Sequence, residues 1–270
     1  MKIATWNVNS IRMRLPHVLD WLDANPVDAL CLQETKVVDA DFPRSQFTEL
    51  GYHLYIYGQK AYNGVALITP EPLGEVQNGF FPILGADLPL TAEALALDDQ
   101  KRVISGLTSS GIRIVNLYVP NGSAVGSDKY NYKLRWFQAL HQYLKILLKQ
   151  SPQGIVVCGD FNIAPEDGDI HDPEGKANHI MASEAERAAL QSMCALGFTD
   201  IFRHFTPETG HYTWWDYRAA SFRRNLGWRI DHHYLSLPLV SKAIACTIDT
   251  TPRQLAKPSD HAPVILELQD

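Results

Sequence analysis

Residues 154–162 read Gly-Ile-Val-Val-Cys-Gly-Asp-Phe-Asn. The first six are small, apolar or β-branched, which predicts a buried strand over residues 154–159. Asp160 and Asn162 follow two positions apart, so both side chains leave the strand end in the same direction. Other apolar stretches of the chain also close on polar residues: Trp6-Asn7-Val8-Asn9, Gln33-Glu34-Thr35, Tyr118-Val119-Pro120-Asn121, Arg229-Ile230-Asp231 and Ser259-Asp260-His261. This recurrence predicts one active site assembled from the ends of several strands.

Strand-like runs outnumber helical ones. Runs rich in β-branched or aromatic residues, bounded by Gly, Pro or Asn, predict strands over residues 2–6, 29–33, 53–57, 65–69, 102–105, 112–118, 154–159, 228–235 and 263–268. Apolar residues at helical spacing predict helices over residues 15–25, 129–149 and 183–196. Because there are fewer helices than a strict strand–helix alternation needs, we expect an α/β chain of the α+β kind, with sheets packed face to face and helices outside.

The composition is that of an ordinary globular enzyme, and no linker divides the 270 residues, so we expect one domain over residues 1–270. A formal net charge of −6 argues against a nonspecific nucleic-acid coat protein. Isolated cysteines, a strand at the N-terminus and no apolar run near 18 residues predict a soluble cytoplasmic protein without a membrane span. Two long polar segments, 71–100 and 166–183, predict binding loops or lids.

The polar strand ends carry carboxylates, carboxamides, a phenol and an imidazole, without a nucleophilic Ser or Cys. Such a set suits a hard divalent cation and a water nucleophile, which together hydrolyse phosphate esters. We expect Glu34 to be the principal metal ligand, since a buried carboxylate needs a compensating charge. Asp160 is expected to position and deprotonate the water, and Asn162 to donate hydrogen bonds to phosphoryl oxygens.

Asp231 is expected to pair with His261 and keep its imidazole protonated, so that it can bind a phosphate oxygen. Tyr118 is expected to donate its hydroxyl to the scissile phosphate. Each of these residues has a plainer interpretation when taken alone: Asp160 and Asn162 could form a turn, and Tyr118 could be a routine strand aromatic. His232 and His233 are expected to be structural.

Taken together, these motifs resemble the exonuclease III family of apurinic/apyrimidinic endonucleases, within the wider group of metal-dependent endonuclease/exonuclease/phosphatase folds. The similarity extends over nearly the whole chain, in segments 5–12, 32–36, 62–66, 118–122, 159–165, 212–218, 227–232 and 258–263. It implies a four-layer αββα sandwich of two mixed β-sheets flanked by helices, with the active site at one rim.

The resemblance also implies the site's ligands. Asn7 and Glu34 would bind Mg²⁺ with help from Asp260, and Mn²⁺ would substitute for it. A second or shifted ion could touch Asp160, Asn162 and His261. Tyr118, Asn121 and His261 would hold the phosphate. Asn9 stands where some relatives carry an Asp, which leaves fewer acids near the ion.

The DNA substrate is indicated by segment 213–231, where Trp214 and Trp228 are interleaved with arginines 218, 223, 224 and 229. By resemblance, the two tryptophans would wall a pocket for a flipped sugar that lacks its base. Arg218, Tyr62, Lys129 and Lys133 are further expected DNA contacts, although ordinary core or surface roles remain open for all of them.

The expected reaction is hydrolysis of the phosphodiester 5′ to an abasic site in double-stranded DNA, leaving a 3′-hydroxyl, with trimming of blocked 3′ ends and 3′-to-5′ exonuclease activity. We expect a monomer.

Two alternatives remain open at this stage: a sister phosphohydrolase of a phosphoinositide or sphingolipid, and a lesion-binding protein that has lost catalysis. The segment around Trp214 and Trp228 would be unexplained in the lipid enzyme, and an intact acidic set argues against the binding protein.

Overall fold

Two mixed β-sheets form the middle of the fold. The structure, a computed structural model, describes residues 1–85 and 96–269. In that part of the chain the strands are β1 Lys2–Asn7, β2 Ala29–Gln33, β3 His53–Tyr57, β4 Val65–Thr69, β5 Gly74–Asn78, β6 Val103–Leu107, β7 Arg113–Tyr118, β8 Ile155–Asp160, β9 Phe198–Asp200, β10 Asp231–Ser236, β11 Ala243–Ile248 and β12 Val264–Leu268. One six-stranded sheet has the order β11-β12-β1-β2-β4-β3, and the other β5-β6-β7-β8-β10-β9.

Each sheet contains one parallel pair among antiparallel neighbours: β1 with β2 in the first sheet, and β7 with β8 in the second. The helices are α1 Ile11–Ala24, α2 Arg44–Thr48, α3 Phe81–Leu84, α4 Asp128–Gln150, α5 Glu184–Cys194, α6 Ile201–Phe205 and α7 Leu237–Val240. Short 3₁₀ turns occupy Asp39–Asp41, Asp167–Asp169, Arg218–Ala220 and Thr251–Gln254. No helix in the described ranges is long and apolar enough to cross a bilayer.

Apolar side chains divide into three layers, which confirms the predicted αββα sandwich. Alternate residues of β8 show the division, because Val156 lies in the cluster between the sheets and Val157 in the outer cluster under α4 and α5. A third cluster packs α1 and α2 on the outer face of the first sheet, around Trp6 and Phe47. Successive side chains of β8 therefore point to opposite faces of the sheet, and both faces of this strand are buried.

The predicted strands are all present within a few residues, and those over 29–33, 53–57 and 65–69 match β2, β3 and β4. The three predicted helices correspond to α1, α4 and α5. The expectation of one loop over 71–100 is wrong at its start, because β5 and α3 lie there. Residues 86–95 of that segment lie outside the described ranges. Segment 166–183 is mostly irregular, as expected.

A buried polar contact joins the two sheets below the rim. Gln33 of β2 donates through Nε2 to Thr5 Oγ1 at 2.8 Å and to Asn116 Oδ1 of β7 at 2.7 Å. The amide nitrogen of Asn116 donates in turn to the carbonyl oxygens of Leu32 and Ala66. All of these groups are away from water, so each needs its partner. The contact fixes how the ends of β2 and β7 face each other.

We predict that Gln33→Leu lowers the free energy of unfolding by about 1–3 kcal/mol, because Asn116 is left with a buried acceptor that has lost its donor. Urea unfolding monitored by circular dichroism measures the change. Gln254→Leu, a change of the same type at an exposed position, is the matched control. Equal stabilities for the Gln33 and Gln254 variants would show that the inter-sheet contact contributes nothing.

Candidate active site

The ends of strands from both sheets meet at one rim. Asn7 ends β1, Glu34 follows its parallel neighbour β2, and Asp160 ends β8. Asp231 begins β10 and lies opposite Asp160 in the antiparallel register, while Tyr118 lies beside Asp160 in the parallel pair of β7 and β8. The carboxyl ends of parallel strands share an edge, so the topology itself gathers these side chains.

Gly159 explains how β8 can carry Asp160 so close to β7. Its φ is +140°, and a Cβ built on it would lie 2.0 Å from the carbonyl oxygen of Leu117. A side chain at this position would therefore push β8 away from β7. The glycine before Asp160 reflects a close approach of two strands; Asp160 still belongs to β8, and its Oδ1 accepts from the backbone N–H of Asn162 at 2.9 Å.

Asn7 joins carboxylates that come from the two sheets. Its Nδ2 donates to Glu34 Oε1 at 2.9 Å and to Asp160 Oδ2 at 2.9 Å. Lys36 lies on the other side of Glu34, with Nζ 2.7 Å from Oε2. Burial alone would raise the pKa of Glu34, but Lys36 and Asn7 lower it below its ordinary value. Glu34 is therefore ionised at neutral pH.

His261 is held in a charged form by carboxylates. Its Nδ1 lies 2.9 Å from Oδ2 of Asp231, and its Nε2 lies 3.8 Å from Oδ2 of Asp160. Burial alone would lower the pKa of His261, but Asp231 and Asp160 raise it to about 10. Burial also raises the pKa of Asp160 to about 7, with His261 acting in the opposite direction. The site thus pairs an imidazolium with a carboxylate that can exchange a proton near neutral pH.

Glu34, Asp160 and His261 could surround a metal ion. One ligand atom from each lies within 4.8 Å of the ligand atoms of the other two. Two carboxylates fit a hard cation such as Mg²⁺ or Mn²⁺, whereas the oxygen of the adjacent Asn7 amide accepts from the backbone N–H of Asn9. His261 could join them only by giving up its proton. These residues therefore fit a divalent ion whose main donors are carboxylate oxygens.

Asp260 lies outside this close group of Glu34, Asp160 and His261, and its expected help in holding the ion stays a prediction. Its Oδ1 accepts from Asn9 Nδ2 at 2.9 Å, and its Oδ2 accepts from Trp214 Nε1 at 3.0 Å. Asn9 in turn accepts from Lys36 Nζ at 2.5 Å. Asp260 therefore anchors the side chains of Asn9 and Trp214 beside the ion site.

Two carboxamides lie next to Asp160. Asn121 donates through Nδ2 to Asn162 Oδ1 at 3.0 Å, and Asn162 donates through Nδ2 to the carbonyl oxygen of Val119 at 3.0 Å. Tyr118 lies at the same edge. Burial, followed by the charge of Glu34, raises the pKa of Tyr118 well above its ordinary value. Its hydroxyl therefore stays protonated and can donate a hydrogen bond to an anion.

Several site residues have left-handed backbone conformations, a feature that no sequence pattern revealed. Glu34 and Asn162 both have φ of 49°, and Asn9 has φ of 45°. Such conformations cost energy for residues other than glycine and cluster at functional sites. They turn the chain out of the extended strand direction just after the ends of β2, β8 and β1.

A cavity of about 560 Å³ continues from Tyr118 along the surface. Tyr62, Asn121 and Lys129 line it as expected, and Tyr62 is 70% exposed. Arg102, which the sequence did not single out, also lines it, and its guanidinium lies 4.6 Å from the centre of the Tyr118 ring. The sequence feature that could have pointed to Arg102 is its position directly before the buried strand β6. The cavity can accept an extended, anionic ligand beside the site.

The two tryptophans border the site on its other side. Trp214 forms β-bridges with both Trp228 and His261. Trp228 is 5% exposed and packs in an apolar cluster with Ile170 and Met181. Both aromatic rings are therefore beside the expected phosphate position, but side chains of segment 166–183 already cover much of the Trp228 ring.

Two of the cations that we expected to contact DNA are buried inside the protein, so those expectations are wrong. Lys133 is 0% exposed and pairs with Glu186, and Arg229 is buried between Asp169 and Asp200. Neither can reach a nucleic acid, because its charge is already neutralised inside the protein. Arg218 does lie on the surface, 88% exposed and paired with Asp216.

His232 and His233 have structural surroundings, as expected. Burial lowers the pKa of His232 to about 3 and that of His233 to about 4. Their ring Nε2 atoms lie 3.0 Å from the carbonyl oxygens of Ile163 and Val264, respectively. Both imidazoles are therefore neutral and bonded to the backbone.

Comparison with known proteins gives a consistent result. The model of the endonuclease/exonuclease/phosphatase family matches residues 4–261. Exodeoxyribonuclease III of Haemophilus influenzae is 34% identical over 282 residues and is aligned over 100% of both chains. Among solved structures, the 3′ phosphatase NExo from Neisseria, bound to product DNA hairpin, is similar with 41% identity and a TM-score of 0.91. An AP endonuclease from Archaeoglobus fulgidus is similar with 39% identity and a TM-score of 0.90, and both alignments cover 100% of each chain.

We predict that Asp231→Asn lowers the pKa of His261 from about 10 toward its ordinary value, because the nearest negative charge is removed. The wild-type imidazole keeps its proton at pH 8, and the variant loses a measurable part of it as the pH rises. NMR titration of the imidazole resonances in metal-free protein reports the shift. Identical His261 curves would mean that Asp231 does not hold the charge.

Proposed function

The chain belongs to the endonuclease/exonuclease/phosphatase family, and we propose that it is a DNA repair nuclease that hydrolyses phosphodiester bonds with the help of a divalent cation. The observation that carries the proposal is the approach of Glu34, Asp160 and His261 to one another at the rim. Tyr118 and Asn162 lie next to them. Phosphate ester hydrolysis needs a cation site, a proton acceptor and hydrogen-bond donors for the phosphoryl oxygens.

In the proposed reaction, Asp160 takes the proton of the attacking water. A pKa of about 7 suits a group that must accept a proton near neutral pH. The imidazolium of His261 donates to a phosphoryl oxygen, and Asp231 orients it through Nδ1. The amide of Asn162 and the hydroxyl of Tyr118 donate to other phosphoryl oxygens as negative charge builds on them.

Mg²⁺, or Mn²⁺ in its place, would be held chiefly by the carboxylates of Glu34 and Asp160, with Asn7 as an oxygen ligand only after its amide turns, and would supply charge neutralisation at the phosphate. Asn7 keeps the two carboxylates at a fixed separation through its amide nitrogen. Lys36 compensates the negative charge of Glu34 when no ion is bound. Water attack at phosphorus forms the new P–O bond and breaks the bond to the 3′ oxygen, which leaves as an oxyanion and takes a proton from solvent to become the 3′-hydroxyl.

The proposed substrate is double-stranded DNA with an abasic site or a blocked 3′ end. The similar proteins carry the names exodeoxyribonuclease III, 3′ phosphatase and AP endonuclease, which together cover incision and 3′-end trimming. The cavity lined by Tyr62, Asn121 and Lys129 would follow the backbone, and Trp214 would contact the damaged nucleotide with the buried Trp228 packed behind it. We further propose that residues 1–270 act as one catalytic domain and as a monomer in the cytoplasm.

The experiment that tests the proposal is a time course on a labelled duplex that contains one abasic analogue, run in parallel with a duplex blocked by a 3′-phosphate. We expect incision or 3′ release with Mg²⁺ and Mn²⁺, and none with EDTA. Absence of cleavage on both duplexes, together with phosphate release from an inositol phosphate or a sphingolipid headgroup, would overturn the proposal.

We predict that Asp160→Asn reduces the cleavage rate by about 100-fold or more, while affinity for the damaged duplex stays near that of the wild type, because proton transfer acts mainly in the transition state. Single-turnover kinetics and fluorescence anisotropy measure the two quantities. Asp167→Asn, on an exposed side chain in the following segment, is the matched control. Full activity of the Asp160 variant would refute the assigned role.

A further inference from the structure

A fully buried ion pair lies behind the site, and the proposed reaction does not use it. Lys133 of α4 and Glu186 of α5 are both 0% exposed, and Lys133 Nζ lies 2.5 Å from Glu186 Oε1. Transfer of two charges into the interior is costly, and well-packed apolar side chains often serve stability equally well in their place. Helix capping explains Glu186, which forms a capping box with Ser183 at the start of α5, but it gives no reason for a buried lysine beside it.

Lys133 holds the backbone of the two candidate carboxamides. Its Nζ donates to the carbonyl oxygen of Asn162 at 2.7 Å and to that of Asn121 at 3.2 Å. Asn162 has a left-handed backbone, so its carbonyl leaves the regular strand pattern and needs another donor. One ammonium group thus fixes both main chains from which the bonded amides of Asn121 and Asn162 project.

Glu186 holds the segment that covers Trp228. Besides Lys133, its carboxylate accepts from the backbone N–H of Met181 at 3.1 Å, from that of Ser183 at 3.1 Å and from the Ser183 hydroxyl at 2.6 Å. The carbonyl of Met181 accepts in turn from the N–H of Ala164 at 2.7 Å. Met181 packs against the tryptophan cluster. Glu186 therefore connects this wall to Lys133.

We propose that Lys133 and Glu186 are positioning residues, which hold the amides of Asn121 and Asn162 and the wall formed by Met181 and Trp228 in one fixed geometry. Neither residue touches the substrate; both act through the groups they bind. The inference rests on the proposed function, because the positioned amides are those assigned to the phosphoryl oxygens. Small displacements of such groups reduce turnover strongly, even when substrate binding survives.

The test uses the double variant Lys133→Met/Glu186→Met, which removes both charges and leaves no unpaired buried ion. We expect kcat for DNA cleavage to fall about 10- to 100-fold, with KM changed by less than about threefold, as for groups that support an active site indirectly. The control is Leu147→Ala, a buried change on the same helix within the outer core. It destabilises the protein without touching either amide, and its kcat should stay near that of the wild type.

A second measurement on the free protein separates this inference from the proposed function. Side-chain amide resonances of Asn121 and Asn162, observed by NMR, should shift or broaden in the double variant and stay unchanged in Leu147→Ala. If the wild type cleaves no DNA, the proposed function fails, and the amide resonances alone decide the positioning role. Unchanged resonances, or a folded double variant with kcat within about threefold of the wild type, would overturn the inference.

If that double variant does not fold, Lys133→Met/Glu186→Gln replaces it, which also leaves no unpaired buried ion. The amide keeps one oxygen acceptor for the backbone N–H groups of Met181 and Ser183, while the carbonyl oxygens of Asn121 and Asn162 still lose the ammonium donor. We expect kcat to fall about tenfold with KM nearly unchanged. A kcat equal to that of the wild type in this variant would equally overturn the positioning role.

Discussion

The active site depends on negative charge that is concentrated and buried at one rim of the sandwich. Glu34, Asp160 and Asp231 come from three different strands or strand ends and approach one another through Asn7 and His261. Carboxylates removed from water are stable only where positive charge or hydrogen-bond donors compensate them. Lys36 and His261 provide part of that compensation, and a divalent cation would complete it. Burial of this negative charge costs free energy, and the same charge would attract the ion.

The fold supplies the geometry for this concentration. Parallel pairs in both sheets, β1 with β2 and β7 with β8, deliver their carboxyl ends to the same edge. The contact between Gln33 and Asn116 relates the sheets to each other, and Gly159 permits β8 to approach β7 closely. Behind this rim, Lys133 and Glu186 connect the carboxamides to the tryptophan wall. The chemistry is thus assembled by backbone topology and then adjusted by buried polar contacts.

Much of this could be predicted from sequence, because strongly apolar strands followed by polar residues are legible without a structure. β2, β3 and β4 were placed to the residue, whereas β5 and β11 are edge strands with mixed polarity and gave no clear alternation. Asn7, Glu34, Asp160, Asn162, Asp231 and His261 do gather. Sequence could not tell an exposed cation from a buried one, so Lys133 and Arg229 were taken for DNA contacts. It also gave no sign of the left-handed conformations or of the role of Asp260 as an anchor.

The most direct measurement is anomalous diffraction from crystals of the protein soaked with Mn²⁺. The account predicts an anomalous peak between Glu34 and Asp160, within ligand distance of a carboxylate oxygen of Glu34, at about 2.1–2.3 Å as expected for a hard divalent cation with oxygen ligands. A bound Mn²⁺ that avoids both carboxylates, or an empty site in crystals that bind Mn²⁺ elsewhere, would contradict the claim that this buried charge exists to hold a metal.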